Sequence, residues 1–137
     1  MNKIVLVTGA SRGIGLEVAK LFSKEGYKVI GTSRGDFNLG DLIGDSSAMS
    51  VQLDLMSKES INDLFEVLKS KDMLPSVLIN NAGITKDQLF LRMKDKDWDE
   101  VIETNLNGLF RVTKALIKPM VKNKFGRVIN ISSVAGL

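Results

Sequence analysis

Cysteine and histidine are both absent from the 137-residue sequence. Their absence excludes disulfides, thiolate nucleophiles, structural zinc and imidazole general bases. Any acid–base chemistry must therefore come from Tyr, Lys, Asp, Glu or a relayed water molecule. We expect no metal site. The acidic run at residues 95–100 does not fit a calcium loop, because Glu100 stands where the turn glycine of an EF-hand belongs.

Long hydrophobic runs and concentrated charge are also missing. No apolar stretch approaches the length needed to span a bilayer, and the apolar run at residues 4–7 is too short for a signal peptide. We therefore expect a cytoplasmic protein without a membrane partner. The net charge of +3 is spread along the chain rather than gathered on one face, so we expect no nucleic-acid partner. The small positive net charge favours the binding of an anionic small ligand and implies no other partner.

Strand-like and helix-like segments alternate along the chain. Apolar runs predict five strands, at residues 4–7, 28–32, 49–53, 77–79 and 127–131. Strict alternation with helices predicts an α/β fold in three α/β/α layers, with a doubly wound parallel sheet of the Rossmann-like type. The last strand would form an unpaired apolar edge, which is an aggregation liability unless something covers it. We therefore expect a fold that is incomplete at its C-terminal side.

Helical periodicity predicts three connecting helices. The first carries Ile14, Val18, Leu21 and Phe22 on one face, and Ser57 caps the second. Residues 34–48, which are rich in glycine, are predicted to be a loop or irregular region. A long helix from about residue 97 to residue 122 should turn one apolar stripe inward, made of Trp98, Val101, Ile102, Leu109, Leu116 and Met120.

Asn105 falls on that inward stripe. A buried asparagine needs hydrogen bonds, so it either supports a bound water or is satisfied by backbone groups as an ordinary core residue. Asn107 and Gly108 weaken the same turn. The sequence therefore predicts a local irregularity in the long helix near Asn105.

A glycine-rich segment, Thr8-Gly9-Ala10-Ser11-Arg12-Gly13-Ile14-Gly15, lies where the first strand turns into the first helix. Glycines there allow a tight turn, and the following helix N-terminus offers free N–H groups to a diphosphate. A tight turn without a ligand is the alternative. The spacing differs from the Gly-x-Gly-x-x-Gly pattern, and no Gly-Lys-Ser/Thr follows, so a triphosphatase P-loop is not supported.

Four ordered segments together resemble the short-chain dehydrogenase/reductase superfamily. They are the Thr8–Gly15 turn, Asn80-Asn81-Ala82-Gly83 after the fourth strand, Asn105 on the long helix and Ser133 after the fifth strand. The resemblance implies a nicotinamide cofactor, with Asn81, Ala82 and Gly83 beneath its ribose. It gives Ser133 the role of hydrogen-bonding the substrate oxygen and Asn105 that of supporting a water in a proton relay. Asn80 is expected to tie neighbouring strands together.

The end of the second strand selects the cofactor. An acid there would bind the ribose hydroxyls of NAD, whereas arginine accommodates the 2′-phosphate of NADP. Arg34 follows this strand, Arg12 lies in the glycine turn and Asp36 is expected just beyond the pocket, so we predict NADP, with NADPH as reductant. Asp54 is either an adenine contact, as the family pattern implies, or a strand-end acid leading into the next helix. The predicted cofactor-binding residues are Thr8, Gly9, Ser11, Arg12, Gly13, Ile14, Gly15, Arg34, Asp54, Leu55, Asn81, Ala82 and Gly83.

One element of the superfamily pattern is missing from these residues. Its members use a tyrosine as proton donor with a lysine four positions on, but the only tyrosine here is Tyr27, followed four positions on by Gly31. Since Ser133 precedes that motif in the family, we expect residues 1–137 to be a single NAD(P)-binding domain that forms the N-terminal portion of a longer single-domain enzyme. Residues 1–137 by themselves should therefore be inactive.

Several stretches narrow the resemblance to the β-ketoacyl-acyl-carrier-protein reductase branch, notably those at residues 83–88, 91–94, 102–106 and 126–131. This branch implies NADPH-dependent reduction of a 3-oxoacyl thioester in fatty acid biosynthesis, with acyl carrier protein as partner and a homotetramer as assembly. Lys122 and Lys124 either meet the acidic carrier or are solvated helix-end lysines. The alternatives are a reductase of acetoacetyl-CoA, sugars or steroids, or a non-catalytic NADP-binding module.

Overall fold

The structure is a computed structural model that describes residues 2–83 and 90–132. Five strands and their connecting helices alternate as the sequence predicts. The strands are β1 (Ile4–Val7), β2 (Lys28–Ser33), β3 (Met49–Gln52), β4 (Val77–Asn80) and β5 (Arg127–Asn130). The helices are α1 (Gly13–Lys24), α2 (Leu39–Ile43), α3 (Lys58–Ser70), α4 (Asp95–Ile102) and α5 (Leu109–Lys122), with a 3₁₀ turn at Phe90–Arg92 and a π-helical segment at Glu103–Gly108.

The five strands form one parallel sheet in the order β3-β2-β1-β4-β5. Two apolar clusters cover its faces, so the core has two layers separated by the sheet. On one face, Leu6, Ile30 and Leu78 pack against buried residues of α3 and α5. On the other face, Val5, Val7 and Val29 belong to the cluster that includes Ala19 of α1 and Leu39 of α2. The predicted α/β/α Rossmann-like architecture is confirmed.

The edge position of β5 is also as predicted within the described residues. It pairs with β4 on one side, from Val77 opposite Arg127 to Asn80 opposite Asn130. The side chain of Ile129 is 45% exposed. β5 thus presents backbone groups and an apolar side chain at the margin of the described sheet.

The prediction of an irregular region at residues 34–48 is wrong in part, because α2 lies within it. The Asn38 side chain accepts a hydrogen bond from the Asp41 amide at 3.0 Å and caps the helix N-terminus. Gly44, at φ 69°, ends the helix in a left-handed conformation. A helix of five residues is too short for apolar periodicity to reveal it.

The predicted apolar face of α1 is right in part, because Val18 and Phe22 pack against the core cluster on that side of the sheet. Ile14 and Leu21 are 62% and 57% exposed, whereas Gly15 and Ala19 are buried against the sheet. A Cβ on Gly15 would lie only 2.0 Å from the Gly9 carbonyl oxygen. Small residues therefore make the contact because the helix approaches the turn too closely for larger ones.

The long helix begins at Asp95 and contains the π-helical segment at residues 103–108, so the predicted irregularity near Asn105 is present. The predicted inward position of Trp98 is wrong, because its side chain is 53% exposed. The wider π turn shifts the phase of the helix, which moves the apolar positions before it out of register with those after it. The buried positions run at four-residue steps: Thr104, Gly108, Val112, Leu116 and Met120.

None of the described helices combines the length and apolarity that a membrane crossing requires. Within residues 2–83 and 90–132, no group of three or more acidic, histidine or cysteine side chains could hold a metal ion.

Candidate functional site

A cavity of about 450 Å³ opens at the carboxyl ends of the strands. In open parallel sheets this edge is where ligands bind. Most of the residues that line it were predicted from the sequence: Gly9, Ser11, Arg12, Gly13, Arg34, Asp54, Leu55, Asn81, Ala82 and Gly83. Four others were not: Thr32, Ser33, Leu53 and Thr104.

The glycine turn forms one wall of this cavity. Gly9 and Gly13 have φ values of 66° and 60°, which L side chains rarely adopt. Arg12 precedes α1 and makes no side-chain capping hydrogen bond to its first turn. The first turn of α1 therefore offers backbone N–H groups and the positive end of the helix dipole to an anion.

Thr8 joins the glycine turn to the segment after β4. Its Oγ1 accepts hydrogen bonds from the Asn81 and Ala82 amides, both at 3.0 Å, and donates to the Ile79 carbonyl at 3.4 Å. The Asn81 side-chain amide donates to the Gly9 carbonyl at 3.1 Å. Thr8 is buried behind the cavity wall and does not line it. These bonds hold the two cavity-forming loops against each other.

Two further predicted residues also lie outside the lining. Gly15 is buried at the contact between α1 and the Gly9 carbonyl. The side chain of Ile14 lies on the exposed surface of α1, beside Val18 and Leu21. The structure therefore gives Gly15 a packing role and places the Ile14 side chain outside the cavity.

Two basic residues and one acidic residue, Asp54, line the cavity. The two arginines, Arg12 before α1 and Arg34 after β2, are exposed and line the same space. Asp36 is exposed and does not line the cavity, as predicted. Arginine binds phosphate through charge-assisted hydrogen bonds, so two arginines in the lining of one cavity suit a phosphate-bearing ligand.

Asp54 takes the second of the two roles left open by the sequence, that of a strand-end acid leading into α3, and the adenine contact stays a prediction. It lines the cavity, and it also organises the turn into α3: its Oδ1 accepts from the Met56 amide at 2.9 Å, while its own amide donates to Ser60 Oγ at 2.9 Å. Ser57 caps α3 as predicted, accepting from the Ser60 amide at 3.1 Å. These contacts fix the carboxylate beside the apolar lining residue Leu55.

Asn80 ties strands together, as predicted. Its buried side-chain amide donates to Asn130 Oδ1 at 2.9 Å and to Thr113 Oγ1 at 3.0 Å. It thereby connects β4 to β5 and to α5. This link lies below the loops that form the cavity and does not line it.

Of the two predicted catalytic residues, Asn105 and Ser133, the structure describes only Asn105. Asn105 lies half-buried in the π-helical segment, and a Cβ added to Gly83 would lie 2.9 Å from its Oδ1. It is therefore next to the cavity-lining segment that follows β4. Ser133 falls outside the described residues.

Glu103 spans the π-helical segment. Its carboxylate accepts hydrogen bonds from Arg111 and, at 2.7 Å, from the side-chain amide of Asn107. The hydrogen bond from Arg111, followed by that from Asn107, lowers the pKa of the Glu103 carboxyl from its ordinary value. This bridge holds the two ends of the wider turn together.

Thr104 is the lining residue whose chemistry the sequence did not reveal. Its side chain is buried, and its Oγ1 has no hydrogen-bond partner within the described part of the chain. A polar β-branched residue directly before Asn105 was the available signal. Thr32 and Ser33 could have been found as the last residues of β2, where the ligand edge of the sheet begins.

Comparison with known proteins agrees with this geometry. A family model described as short chain dehydrogenase matches residues 3–137. Proteins named 3-oxoacyl-[acyl-carrier-protein] reductase, from Salmonella typhimurium and Escherichia coli, are 43% and 42% identical over 98% of the chain. The chain spans 56% of the length of each. A crystal structure of a short-chain dehydrogenase from Streptomyces avermitilis superposes with a TM-score of 0.89 at 34% identity, covering 96% of this chain and 49% of that one.

The family model covers nearly the whole chain. The cavity of this chain lies at the carboxyl ends of the strands, which is the ligand-binding edge of such sheets. This chain belongs to the short-chain dehydrogenase family.

Proposed function

We propose that this chain binds NADPH and forms the cofactor-binding part of a 3-oxoacyl-acyl-carrier-protein reductase of fatty acid biosynthesis. The observation that carries the proposal is the cavity in which the glycine turn and the two arginines Arg12 and Arg34 face one space. The names of the reductase relatives support the substrate class.

The residues present fit a dinucleotide phosphate. The uncapped first turn of α1 suits a diphosphate, and the two arginines suit the additional 2′-phosphate that distinguishes NADP from NAD. Leu53, Leu55 and Ala82 offer apolar contact to a planar base, while Asp54 offers an acceptor at its edge. Thr104 also lines this cavity.

The chemistry divides between the cofactor and the chain. When bound, the reduced nicotinamide would supply a hydride to the keto carbon of the substrate, and the proton relay would supply the proton that converts the resulting alkoxide into the 3-hydroxyl group. Ser133 donates a hydrogen bond to the substrate oxygen and steadies the charge that develops on it. Asn105 holds a water molecule of the proton relay through its position on the π-helical segment. The glycine turn and the arginines bind and orient the cofactor.

Tyr27 is unsuited to proton donation at this site. It directly precedes β2, at the opposite end of that strand from the cavity. Its ring packs edge-on against Phe22 at 4.9 Å and beneath the Lys3 ammonium at 5.6 Å. We propose that residues 1–137 alone bind NADPH without turning over substrate, because no Tyr-x-x-x-Lys pair occurs among them.

The proposed function includes two binding partners. An acyl carrier protein delivers the 3-oxoacyl group, and the exposed Lys122 and Lys124 at the end of α5 suit its acidic surface. A second copy of the chain packs on the outer surface of the long helix as part of a homotetramer. The exposed side chains there form an apolar stripe at helical spacing: Leu106, Phe110, Ile117 and Val121.

Binding and turnover measured separately test the proposal. NADPH and NADH are titrated calorimetrically into the 137-residue chain, and acetoacetyl-CoA reduction is followed by loss of NADPH absorbance with that chain and with the complete gene product. We expect preferential NADPH binding by both and turnover by the complete product, if the reading frame continues to Tyr-x-x-x-Lys. NADPH binding without turnover by the complete product would favour a non-catalytic module, and absence of NADPH binding would contradict the proposal.

A further inference from the structure

A side-chain bridge crosses the π-helical segment. The Glu103 carboxylate accepts hydrogen bonds from the Arg111 guanidinium and, at 2.7 Å, from the Asn107 side-chain amide. Ion pairs along an α-helix join residues three or four positions apart, whereas Glu103 and Arg111 are eight positions apart. In a regular α-helix that separation would be about 12 Å along the axis. The bridge therefore ties the first residue of the π-helical segment to the first turn of α5.

The π-helical segment changes which residue faces inward. Counted back from Val112 of α5 in steps of three or four, a regular α-helix would place Asn105 and Trp98 on the inward face. In the structure Thr104 is buried, Asn105 is half-buried and Trp98 is exposed. The segment therefore shifts the inward position by one residue, from Asn105 to Thr104.

This shift sets where the Asn105 side chain lies. A Cβ added to Gly83 would be 2.9 Å from Asn105 Oδ1, so the asparagine lies against the cavity-lining segment that follows β4. A regular α-helix would turn Asn105 by about 100°, toward the position that Thr104 fills here. Its side chain would then point away from Gly83. The contact between Asn105 and Gly83 thus depends on the π-helical geometry.

We propose that Glu103 is a positioning residue: its bridge to Arg111 and Asn107 holds the π-helical segment and thereby keeps Asn105 beside Gly83. Glu103 does not line the cavity, so it acts through Asn105. This inference rests on the proposed function, in which Asn105 holds a water molecule of the proton relay, and adds to it the group that sets the position of Asn105. Both partners of the ion pair are partly exposed, and such pairs contribute little to global stability, so breaking the pair should change local geometry without unfolding the chain.

Trp98 reports the phase of the helix. It is the only tryptophan among the 137 residues, and it lies in α4, directly before the π-helical segment. Glu103→Gln removes the charge that holds Arg111 at nearly constant shape. In the 137-residue chain we expect its Trp98 emission to move to shorter wavelength and its quenching by acrylamide to fall, because Trp98 turns from solvent toward the sheet. Glu17→Gln removes an equal charge and an ion pair within α1, and should leave both signals unchanged.

Turnover separates positioning from a purely structural role. In the complete gene product, Glu103→Gln should lower kcat for acetoacetyl-CoA reduction by about 10- to 100-fold, the loss expected when a catalytic group is displaced. KM and the dissociation constant of NADPH should change by less than about threefold. The exchanged variant, Glu103→Arg with Arg111→Glu, rebuilds the bridge with reversed charges and should recover both the kcat and the Trp98 signal of the wild type. Glu17→Gln should keep the wild-type kcat.

The outcomes are separable. Unchanged kcat or unchanged Trp98 emission in Glu103→Gln would overturn the inference, as would a rise in KM in place of the fall in kcat, or an exchanged variant no better than Glu103→Gln. If Glu103→Gln does not fold, Arg111→Gln breaks the same bridge and is judged by the same readouts; unfolding of both would overturn the inference, because the fold itself would then need the bridge. If the wild-type complete product turns over and Glu103→Gln matches it, only this inference fails; if the wild type does not turn over, the proposed function fails with it.

Discussion

The side-chain amide of Asn80 donates a 2.9 Å hydrogen bond to Asn130 Oδ1, which joins the carboxyl ends of β4 and β5. The same amide reaches Thr113 Oγ1 on α5 at 3.0 Å. One buried side chain therefore connects the edge strand, its neighbour and the helix that lies between them in the chain.

Replacement of Asn80 by alanine should destabilise the chain by about 1–3 kcal/mol, because it removes both bonds and leaves their acceptors without this donor. Urea unfolding followed by circular dichroism measures the change. Asn62→Ala, on the exposed surface of α3, is the matched control and should change stability by less than about 0.5 kcal/mol. Equal effects of the two substitutions would contradict a structural role for Asn80.

Gly15→Ala should disrupt the glycine turn. The added Cβ would lie 2.0 Å from the Gly9 carbonyl oxygen and 2.6 Å from Asn81 Nδ2, so α1 would have to move away from the loops of the cavity. We expect a loss of at least about 2 kcal/mol in the free energy of unfolding and loss of NADPH binding.

Gly35→Ala provides the control for that substitution. A Cβ at Gly35 meets no atom within 4 Å, and its φ does not lie in the left-handed region. Its stability and NADPH affinity should therefore match the wild type. A Gly15→Ala variant as stable as Gly35→Ala would show that the turn tolerates a side chain.

Arg12→Ala and Arg34→Ala should each weaken NADPH binding by about 10- to 100-fold, the loss expected for a charge-assisted hydrogen bond to phosphate. NADH lacks the 2′-phosphate, so its dissociation constant should change by less than about threefold. Calorimetric titration of both cofactors gives the ratio directly. Lys20→Ala on α1 removes an equal charge outside the cavity and should leave the ratio unchanged. Parallel losses for NADPH and NADH would argue against 2′-phosphate recognition.

Glu103 should make stability depend on pH. Its carboxyl has a lowered pKa in the folded chain, chiefly because Arg111 donates to it. A depressed folded-state pKa stabilises the fold above the unfolded-state value, and this contribution is lost as pH falls through the folded-state pKa. The stability difference between the wild type and Glu103→Gln should therefore be largest at neutral pH and shrink below about pH 4.

The control for Glu103→Gln is a substitution that changes the net charge by the same amount. Glu66→Gln on α3 serves this purpose, and its difference from the wild type is subtracted at each pH. Urea midpoints at pH 7, 5 and 3.5 suffice for the measurement. A Glu103→Gln difference that grows on acidification would have the wrong sign for a lowered pKa.

Phe110→Glu should weaken self-association through the long helix. Phe110 is 61% exposed on the apolar stripe, and a carboxylate there would have to be desolvated in an interface between copies. Analytical ultracentrifugation of the complete gene product should show smaller assemblies than the wild type. Leu21→Glu is an equally exposed substitution on α1, across the sheet from α5, and should leave the assembly unchanged. Identical assemblies for Phe110→Glu and the wild type would exclude this stripe as an interface.

The sequence by itself determined the order of strands and helices, the glycine turn and the family. These depend on local patterns: apolar runs for buried strands, glycines where φ must be positive, and motifs at characteristic positions. The capping of α3 by Ser57 and the structural role of Asn80 also follow from residue type and position. The capping of α3 needs only local chemistry, because its hydrogen bond lies within one segment, whereas the bonds of Asn80 join three elements.

Only the tertiary structure decided which side chains face the cavity. The sheet brings Arg12 and Arg34 to one space, although different strands precede them. The π-helical segment shifts the helical phase, which exposes Trp98 and buries Thr104. Close approach of α1 to the glycine turn leaves Ile14 and Leu21 at the surface. Periodicity in sequence defines faces of an element, but the distance and rotation at which elements pack decide which face is buried.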